Sequence, residues 1–397
     1  MLVFSSVICI LVAVLLLVEA KVTSKGESLI TINGNTDNPL KISGNPSLLS
    51  ALSSNNIFLP SACGGSGSCG MCKCMVTEGG GGILPTEIAH ISRQEKQQNK
   101  RLSCQLKVKE NISIQIPESI FGIKKVNATV VSNHNVATFI KELVLRPEEP
   151  IDFKAGAYMQ IDVPEYDLSF KDFHIESKYI SEWKKYNLLE LAAKGIKPGF
   201  RAYSLANPPH EKNMLKFNIR IATPPPGTEG LPPGFGSSYV FSLKTGDQVK
   251  VSGPYGDFMA RDTQNEMCFV GGGAGMAPLR SHILNQLDGI NSGRIISFWY
   301  GARSKKEMFY DDDFKDLEQR YQNFSYNVAL SDPEKEDNWT GPTGFIHNHL
   351  YETYLKDHDD PTEIEYYLCG PPPMIDAVIR TLYDLGVEDD MIYYDKF

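Results

Sequence analysis

Pro60-Ser-Ala-Cys63-Gly-Gly-Ser-Gly-Ser-Cys69-Gly-Met-Cys72-Lys-Cys74 is the stretch on which the fold turns. Five of the eight cysteines of the chain fall between positions 63 and 104; the others are Cys9, Cys268 and Cys369. Glycine at this density lets backbone amides turn inward around a small object without side-chain clashes. Alternating apolar runs at residues 28–33 and 40–43 and a helix-like stretch at 46–54 precede the loop, and a strand running to residue 77 follows it. A further thiol, Cys104, stands in Arg101-Leu-Ser-Cys-Gln, just before another strand.

Four thiolates hold either a zinc ion or a [2Fe–2S] cluster, and spacing chooses between them. Zinc ribbons use two separated Cys-x-x-Cys knuckles. Three ligands in one glycine-rich loop and one far downstream is the plant-type ferredoxin arrangement, with Cys63, Cys69, Cys72 and Cys104 as ligands. The first gap holds five residues where that pattern has four, which enlarges the loop without removing a ligand. Cys74 enters the strand on the same face as Cys72 and reads as a small apolar group packed beside the site.

No charged side chain occurs in residues 1–18, and LVFSSVICILVAVLLLV is just long enough to cross a hydrocarbon core as a helix. Nothing basic precedes it, unlike a secretory signal, whereas Lys21 and Lys25 follow. The expectation is one uncleaved span over residues 1–22 in the inner membrane, with the other domains on the cytoplasmic side. Cysteines there stay reduced, which argues against disulfides. With 397 residues, 42% hydrophobic and 22% charged, the rest makes two or three globular domains, neither disordered nor polytopic. A formal charge of −9 argues against a nucleic-acid partner.

Beyond residue 124 the composition changes. Residues 126–131, 138–145 and 158–163 alternate as strands between turns, which predicts an antiparallel β-barrel. Arg201-Ala-Tyr203-Ser204 then puts a cation and an aromatic ring on one strand face, with a hydroxyl nearby, as a flavin diphosphate and ring require. Ala222-Thr223 and the helix opening at Gly236-Ser237-Ser238 add amides suited to pyrophosphate. Taken singly, these motifs read as a core tyrosine and helix-capping serines; together they point to FAD. Residues 167–200 form a charged and aromatic insertion longer than a hairpin needs, read either as surface filler or as a docking element for a partner subunit.

The run 267–270 is a buried strand leading into Gly271-Gly272-Gly273-Ala274-Gly275-Met276-Ala-Pro278 and a helix. Strand, glycine turn and helix make a dinucleotide site, although Pro278 stands where the standard fingerprint has its third glycine. Strands at 295–300 and 325–330, a helix at 314–321 and the run ending in Cys369-Gly370-Pro371 predict a parallel α/β sheet. Cys369, at the carboxyl end of its strand, is expected to turn its thiol to the ligand crevice; the alternative is plain packing, which suits Cys268 better. Arg303 and Lys305 follow the second strand, where cations hold a 2′-phosphate, and by themselves lean towards NADPH.

Residues 126–397 resemble the ferredoxin–NAD(P)H reductase superfamily through Arg-Ala-Tyr-Ser, the Gly-x-Gly-x-x-Pro loop and Cys-Gly-Pro-Pro-Pro-Met. With the ferredoxin module and anchor in front, the chain resembles the NADH-oxidising F subunits of sodium-translocating NADH:quinone oxidoreductases. That resemblance implies an α/β multidomain chain: an anchor at 1–22, a β-grasp-like [2Fe–2S] domain at 23–122, an FAD barrel at 126–259 and a parallel-sheet NADH domain at 262–397. It implies FAD held by Arg201, Tyr203, Ser204, Ala222, Thr223, Gly236, Ser237 and Ser238. NADH would lie over Gly272, Gly273, Ala274, Gly275, Met276 and Pro278, near Arg303, Gly370 and Pro371. Cys369, Ser204 and Tyr203 would serve hydride transfer, and a terminal aromatic, Phe397 or Tyr394, would cover the flavin unless the tail stays flexible. Electrons would run from NADH through FAD and the cluster to another subunit of a membrane quinone reductase complex that reduces ubiquinone and pumps sodium. The nearest rival is the reductase component of a multicomponent oxygenase, which normally lacks an anchor; a zinc-bound scaffold is a more distant one.

Overall fold

The computed structural model describes Val12, Val14, residues 26–225, Thr228 and residues 230–396, with the backbone alone at Lys396. The expected anchor at 1–22 lies outside the described residues apart from Val12 and Val14, and Phe397 lies outside them too. Among the described residues no helix is long and apolar enough to cross a membrane. The chain divides into two compact units, Met1–Lys125 and Val126–Phe397.

The first unit is a five-stranded mixed sheet. Its strands are β1 (Glu27–Ile32), β2 (Asn35–Ser43), β3 (Lys73–Glu78), β4 (Lys100–Leu102) and β5 (Ile112–Gln115), in the order β2-β1-β5-β3-β4. Only β1 and β5 run parallel, so the chain must cross over between them. Helix α1 (Leu48–Ser54) is capped by Ser47, whose side chain accepts from the Ser50 amide, and buries Leu48, Leu49, Ala51 and Leu52. The loop carrying Cys63, Cys69 and Cys72 joins α1 to β3. Its Gly64, Gly65, Gly67 and Gly70 all adopt positive φ, a backbone region closed to most other residues. A buried ion pair braces the connection between β3 and β4. The Glu87 carboxylate accepts from the Arg101 guanidinium at 2.7 Å and from the Leu102 amide at 2.8 Å, while Arg101 also donates to the carbonyls of Gly80 and Gly81.

The second unit opens with a six-stranded sheet. Its strands are β6 (Lys124–Ala137), β7 (Ile140–Pro147), β8 (Tyr158–Val163), β11 (Gly199–Ser204), β12 (Leu215–Arg220) and β13 (Gln248–Tyr255), ordered β11-β8-β13-β6-β7-β12. The expected barrel is not closed by a hydrogen-bonded ladder among the described residues: a single bridge, Leu205 to Phe217, links its two edges. The reason lies just past β11, where Pro208 and Pro209 lack the N–H groups that a ladder needs. The insertion at 167–200 is folded. Strands β9 (Tyr166–Ser169) and β10 (Ala192–Gly195) pair, and helix α2 (Ile180–Lys185) lies between them in the chain. Phe170, Phe173, Trp183 and Leu188 form its core with Ile221 and Phe241 of the surrounding domain.

The remainder is a wholly parallel sheet. Its strands are β14 (Met267–Gly272), β15 (Ile296–Ala302), β16 (Phe324–Leu330), β17 (Glu365–Gly370) and β18 (Ile392–Lys396), ordered β16-β15-β14-β17-β18. Strand order reverses beside β14, so the ends of β14 and β17 flank the switch point where ligands enter such sheets. Helix α3 (Met276–Leu284) follows β14 through the Gly273–Gly275 turn. It also fastens this sheet to the six-stranded one: Arg280 donates to the Ala206 carbonyl at 3.0 Å and Ser281 to that of Asn207 at 2.7 Å.

Candidate functional site

The four cysteines of the first unit stand as two pairs. The Cys63 and Cys69 sulfurs are 3.3 Å apart, and Cys72 hydrogen-bonds Cys104. Within each pair one thiol is easier to ionise. The Cys69 thiol beside Cys63 holds it down at about 2, and Cys72 lowers Cys104 to about 7, whereas Cys69 and Cys72 are raised. Among the described residues no three His, Cys, Asp or Glu side chains converge as a single ion requires. Two thiolate pairs suit a two-iron cluster with two protein sulfurs per iron, rather than one zinc ion. The loop is tied to the distant ligand by backbone: the Ser103 amide and hydroxyl both donate to the Cys72 carbonyl at 2.9 Å. Cys74 is buried, its ladder partner is Arg101, and burial pushes its thiol up to about 12.

In the six-stranded sheet, Arg201 and Tyr203 share a face with their register partners Ile161 and Met159, and Ser204 lies on the opposite face with Tyr158. Helix α4 (Phe235–Ser242) closes over the first face. A Cβ on Gly236 would lie 2.5 Å from Arg201 Cγ and 2.6 Å from Tyr203 Oη, so only glycine lets helix and strand approach this closely. The Arg201 guanidinium lies 5.0 Å from the Phe235 ring centroid. Tyr166 stacks on Phe235 and donates to its carbonyl at 2.7 Å, a role that no motif signalled. The Ser237 hydroxyl accepts from the Ala222 amide at 3.1 Å and closes the turn internally. Ser238 is fully buried, and its hydroxyl has no hydrogen-bond partner among the described residues. Ala222 is exposed and Thr223 half-buried.

At the switch point the glycines act through close approach. A Cβ on Gly275 would lie 2.0 Å from the Cys369 carbonyl oxygen, and one on Gly272 would lie 3.2 Å from that of Gly301. Gly273 has φ +57° and open space around it. Met276 and Pro278 are buried in the first turn of α3, where proline is tolerated because the amide it lacks has no helical partner. Gly370 has φ +150° and stands against the Gly272 backbone, and Pro371 precedes helix α5 (Pro372–Asp384). Cys369 sits at this point, but its thiol is fully buried in the apolar cluster with Tyr367, Phe269 and Met276 and does not open to the crevice. Burial raises it well above the ordinary thiol value, and Asp395, its register partner on β18, adds to this. The neighbouring strand that covers Cys369 was invisible in its own motif. Arg303 is held by Glu182 of the insertion at 3.4 Å.

The chain matches the family described as 2Fe-2S iron-sulfur cluster binding domain over residues 30–109, the oxidoreductase FAD-binding domain over 184–259 and the oxidoreductase NAD-binding domain over 269–380. A solved cytochrome P450 reductase from Amycolatopsis shares the fold at 22% identity, with TM-score 0.65 over 93% of this chain and 98% of that one. The ferredoxin reductase of carbazole 1,9a-dioxygenase superposes with TM-score 0.60 at 25% identity, over 94% and 98%. Three modules, two thiol pairs and the glycine-lined switch point define the class: an iron–sulfur flavoprotein that takes electrons from a nicotinamide nucleotide. The F subunits of the Na(+)-translocating NADH-quinone reductases of Marinomonas sp. and Klebsiella pneumoniae are each 52% identical over 396 residues, 99% of this chain and 97% of theirs. The chain belongs to that family of F subunits.

Proposed function

We propose that this chain oxidises NADH and delivers single electrons to a partner subunit of a sodium-translocating quinone reductase complex. When bound, FAD takes the hydride as an electron pair and the [2Fe–2S] cluster passes electrons on singly. The observation that carries the reading is the joining, on one chain, of two paired thiol sets to a strand–glycine–helix turn packed against the Cys369-Gly370 backbone.

Cys63 with Cys69 and Cys72 with Cys104 hold the cluster. Arg201 and Tyr203, under helix α4, hold the flavin, with Ser204, Ala222, Thr223 and the Gly236–Ser238 turn around it. The α3 amides after Gly273 bind the nucleotide diphosphate, and Gly272, Gly370 and Pro371 let it approach the strand ends. Cys369 shapes the apolar floor beneath the nicotinamide. Residues 1–22 anchor the chain to the inner membrane, with both described units in the cytoplasm.

Anaerobic mixing of the purified full-length protein with NADH tests the central claim. Flavin absorbance is expected to bleach first and the iron–sulfur bands to follow; a colourless preparation, or bands that NADH leaves unchanged, refutes it. Detergent-free fractionation tests the anchor, and recovery of the full chain in the soluble fraction favours an oxygenase-type reductase.

A further inference from the structure

The loop after β15 carries Arg303, Lys305 and Lys306. In a dinucleotide-binding sheet this position meets the adenosine ribose, where a free cation accommodates the 2′-phosphate of NADPH and an acid accepts the 2′-hydroxyl of NADH. The structure leaves these cations occupied. Arg303 donates to Glu182 at 3.4 Å and also bonds Tyr186 of the insertion. Lys306 pairs with Glu334 at 2.7 Å. Lys305 donates through its ammonium to the Asp337 carbonyl at 2.9 Å and through its amide to the Asp337 carboxylate at 3.0 Å. Glu307 adds a further negative charge near Arg303. Lys185, three residues on in the same helix, also lies 3.6 Å from the Glu182 carboxylate, so four cations stand against four carboxylates and none is left free for a phosphate.

Glu182 is the decisive acid because it is held in place. Its side chain is 10% exposed, and its helix is pinned by the neighbouring Trp183, which donates to the Thr138 carbonyl at 2.8 Å, and by Tyr179, which donates to that of Val136 at 3.0 Å. A carboxylate fixed this way cannot swing aside to release Arg303 to a phosphate. An incoming 2′-phosphate would meet a neutralised guanidinium and a fixed like charge. The 2′-hydroxyl of NADH carries no charge and meets no such opposition.

We propose that Glu182, supplied by the inserted segment, makes this nucleotide site reject the 2′-phosphate and so select NADH over NADPH. The proposal rests on the reading that the switch-point crevice binds the nucleotide. It makes the 167–200 insertion an electrostatic filter, brought to the nucleotide domain from the flavin domain.

Binding of 2′,5′-ADP and of 5′-AMP to the full-length holoprotein, measured by titration calorimetry, tests this without turnover. The wild type is expected to bind 5′-AMP more tightly. Glu182→Gln is expected to raise affinity for 2′,5′-ADP relative to 5′-AMP about tenfold, the scale of one charge-assisted phosphate contact, with a parallel rise in the NADPH-to-NADH ratio of kcat/KM. Glu182→Gln combined with Arg303→Gln is expected to lose that gain. An unchanged ratio in Glu182→Gln overturns the proposal. Should that variant lose its flavin through misfolding, Arg303→Gln alone decides: leaving Glu182 with Lys185 as its one ion-pair partner among the described residues is expected to weaken 2′,5′-ADP further relative to 5′-AMP, and an unchanged ratio is again fatal. A wild type that binds neither nucleotide would instead remove the crevice reading itself.

Discussion

Cys69 shows how much one side chain carries. Its sulfur is 3.3 Å from that of Cys63, so a cluster held by both loses half of one iron's protein ligands when either is removed. Cys69→Ala is expected to drop iron content to near zero while NADH still bleaches the flavin; full iron content would exclude Cys69 as a ligand. His282, fully buried in α3, carries a different prediction. Its Nε2 lies 2.9 Å from the Phe258 carbonyl, yet burial outweighs that bond and lowers its pKa from 6.5 to about 4. Below pH 6.5 the unfolded chain takes up a proton that the folded one refuses. Stability is therefore intact above 6.5 and lost as pH falls towards 4, by about 3 kcal/mol in all. His282→Gln is expected to flatten the fall in thermal midpoint between pH 7 and 4.5, and an unaltered slope would place the acid sensitivity elsewhere.

The strand–turn–helix at residues 267–284 separates two uses of glycine. A methyl on Gly275 would strike the Cys369 carbonyl and the Gly370 amide, both backbone atoms that cannot step aside. Gly275→Ala is expected to cost about 3 kcal/mol and to abolish NADH reduction of the flavin. Gly273 meets no neighbour and needs only its positive φ. Gly273→Ala should cost about 1 kcal/mol and leave NADH reduction measurable. Thermal unfolding with the NADH-reducible flavin fraction checks both, and equal losses would refute the distinction. The spacing of these glycines was legible in the sequence because a tight turn is a property of consecutive residues. The part played by Ser237 was not, because its hydroxyl spends itself on the Ala222 amide, 15 residues away in the chain.

At the scale of the molecule, the flavin and nucleotide halves are joined by Tyr310. It bonds Glu142 of β7, accepts from Asn218 of β12 at 2.8 Å and lies under the Arg280 guanidinium at 4.4 Å. Tyr310→Phe strands Glu142 and Asn218 without this partner, at a cost of about 1–3 kcal/mol. Flavin fluorescence on heating is expected to rise several degrees earlier; an unmoved midpoint would show that the joint is held elsewhere. By itself the sequence determined the modules and their order. Thiol spacing, glycine turns and alternating strands are set by backbone geometry over a few contiguous residues, and they carried the site types with them. Only the tertiary structure decided how the groups are used. The thiols stand as two pairs, the sheet edges of the flavin domain meet at one bridge among the described residues, and Cys369 is sealed in beside Asp395. Most plainly, Arg303, which alone suggested a phosphate ligand, faces Glu182 from 121 positions earlier in the chain. What a charge or a hydroxyl does depends on what packing sets against it, and that partner is chosen by contacts far apart in sequence.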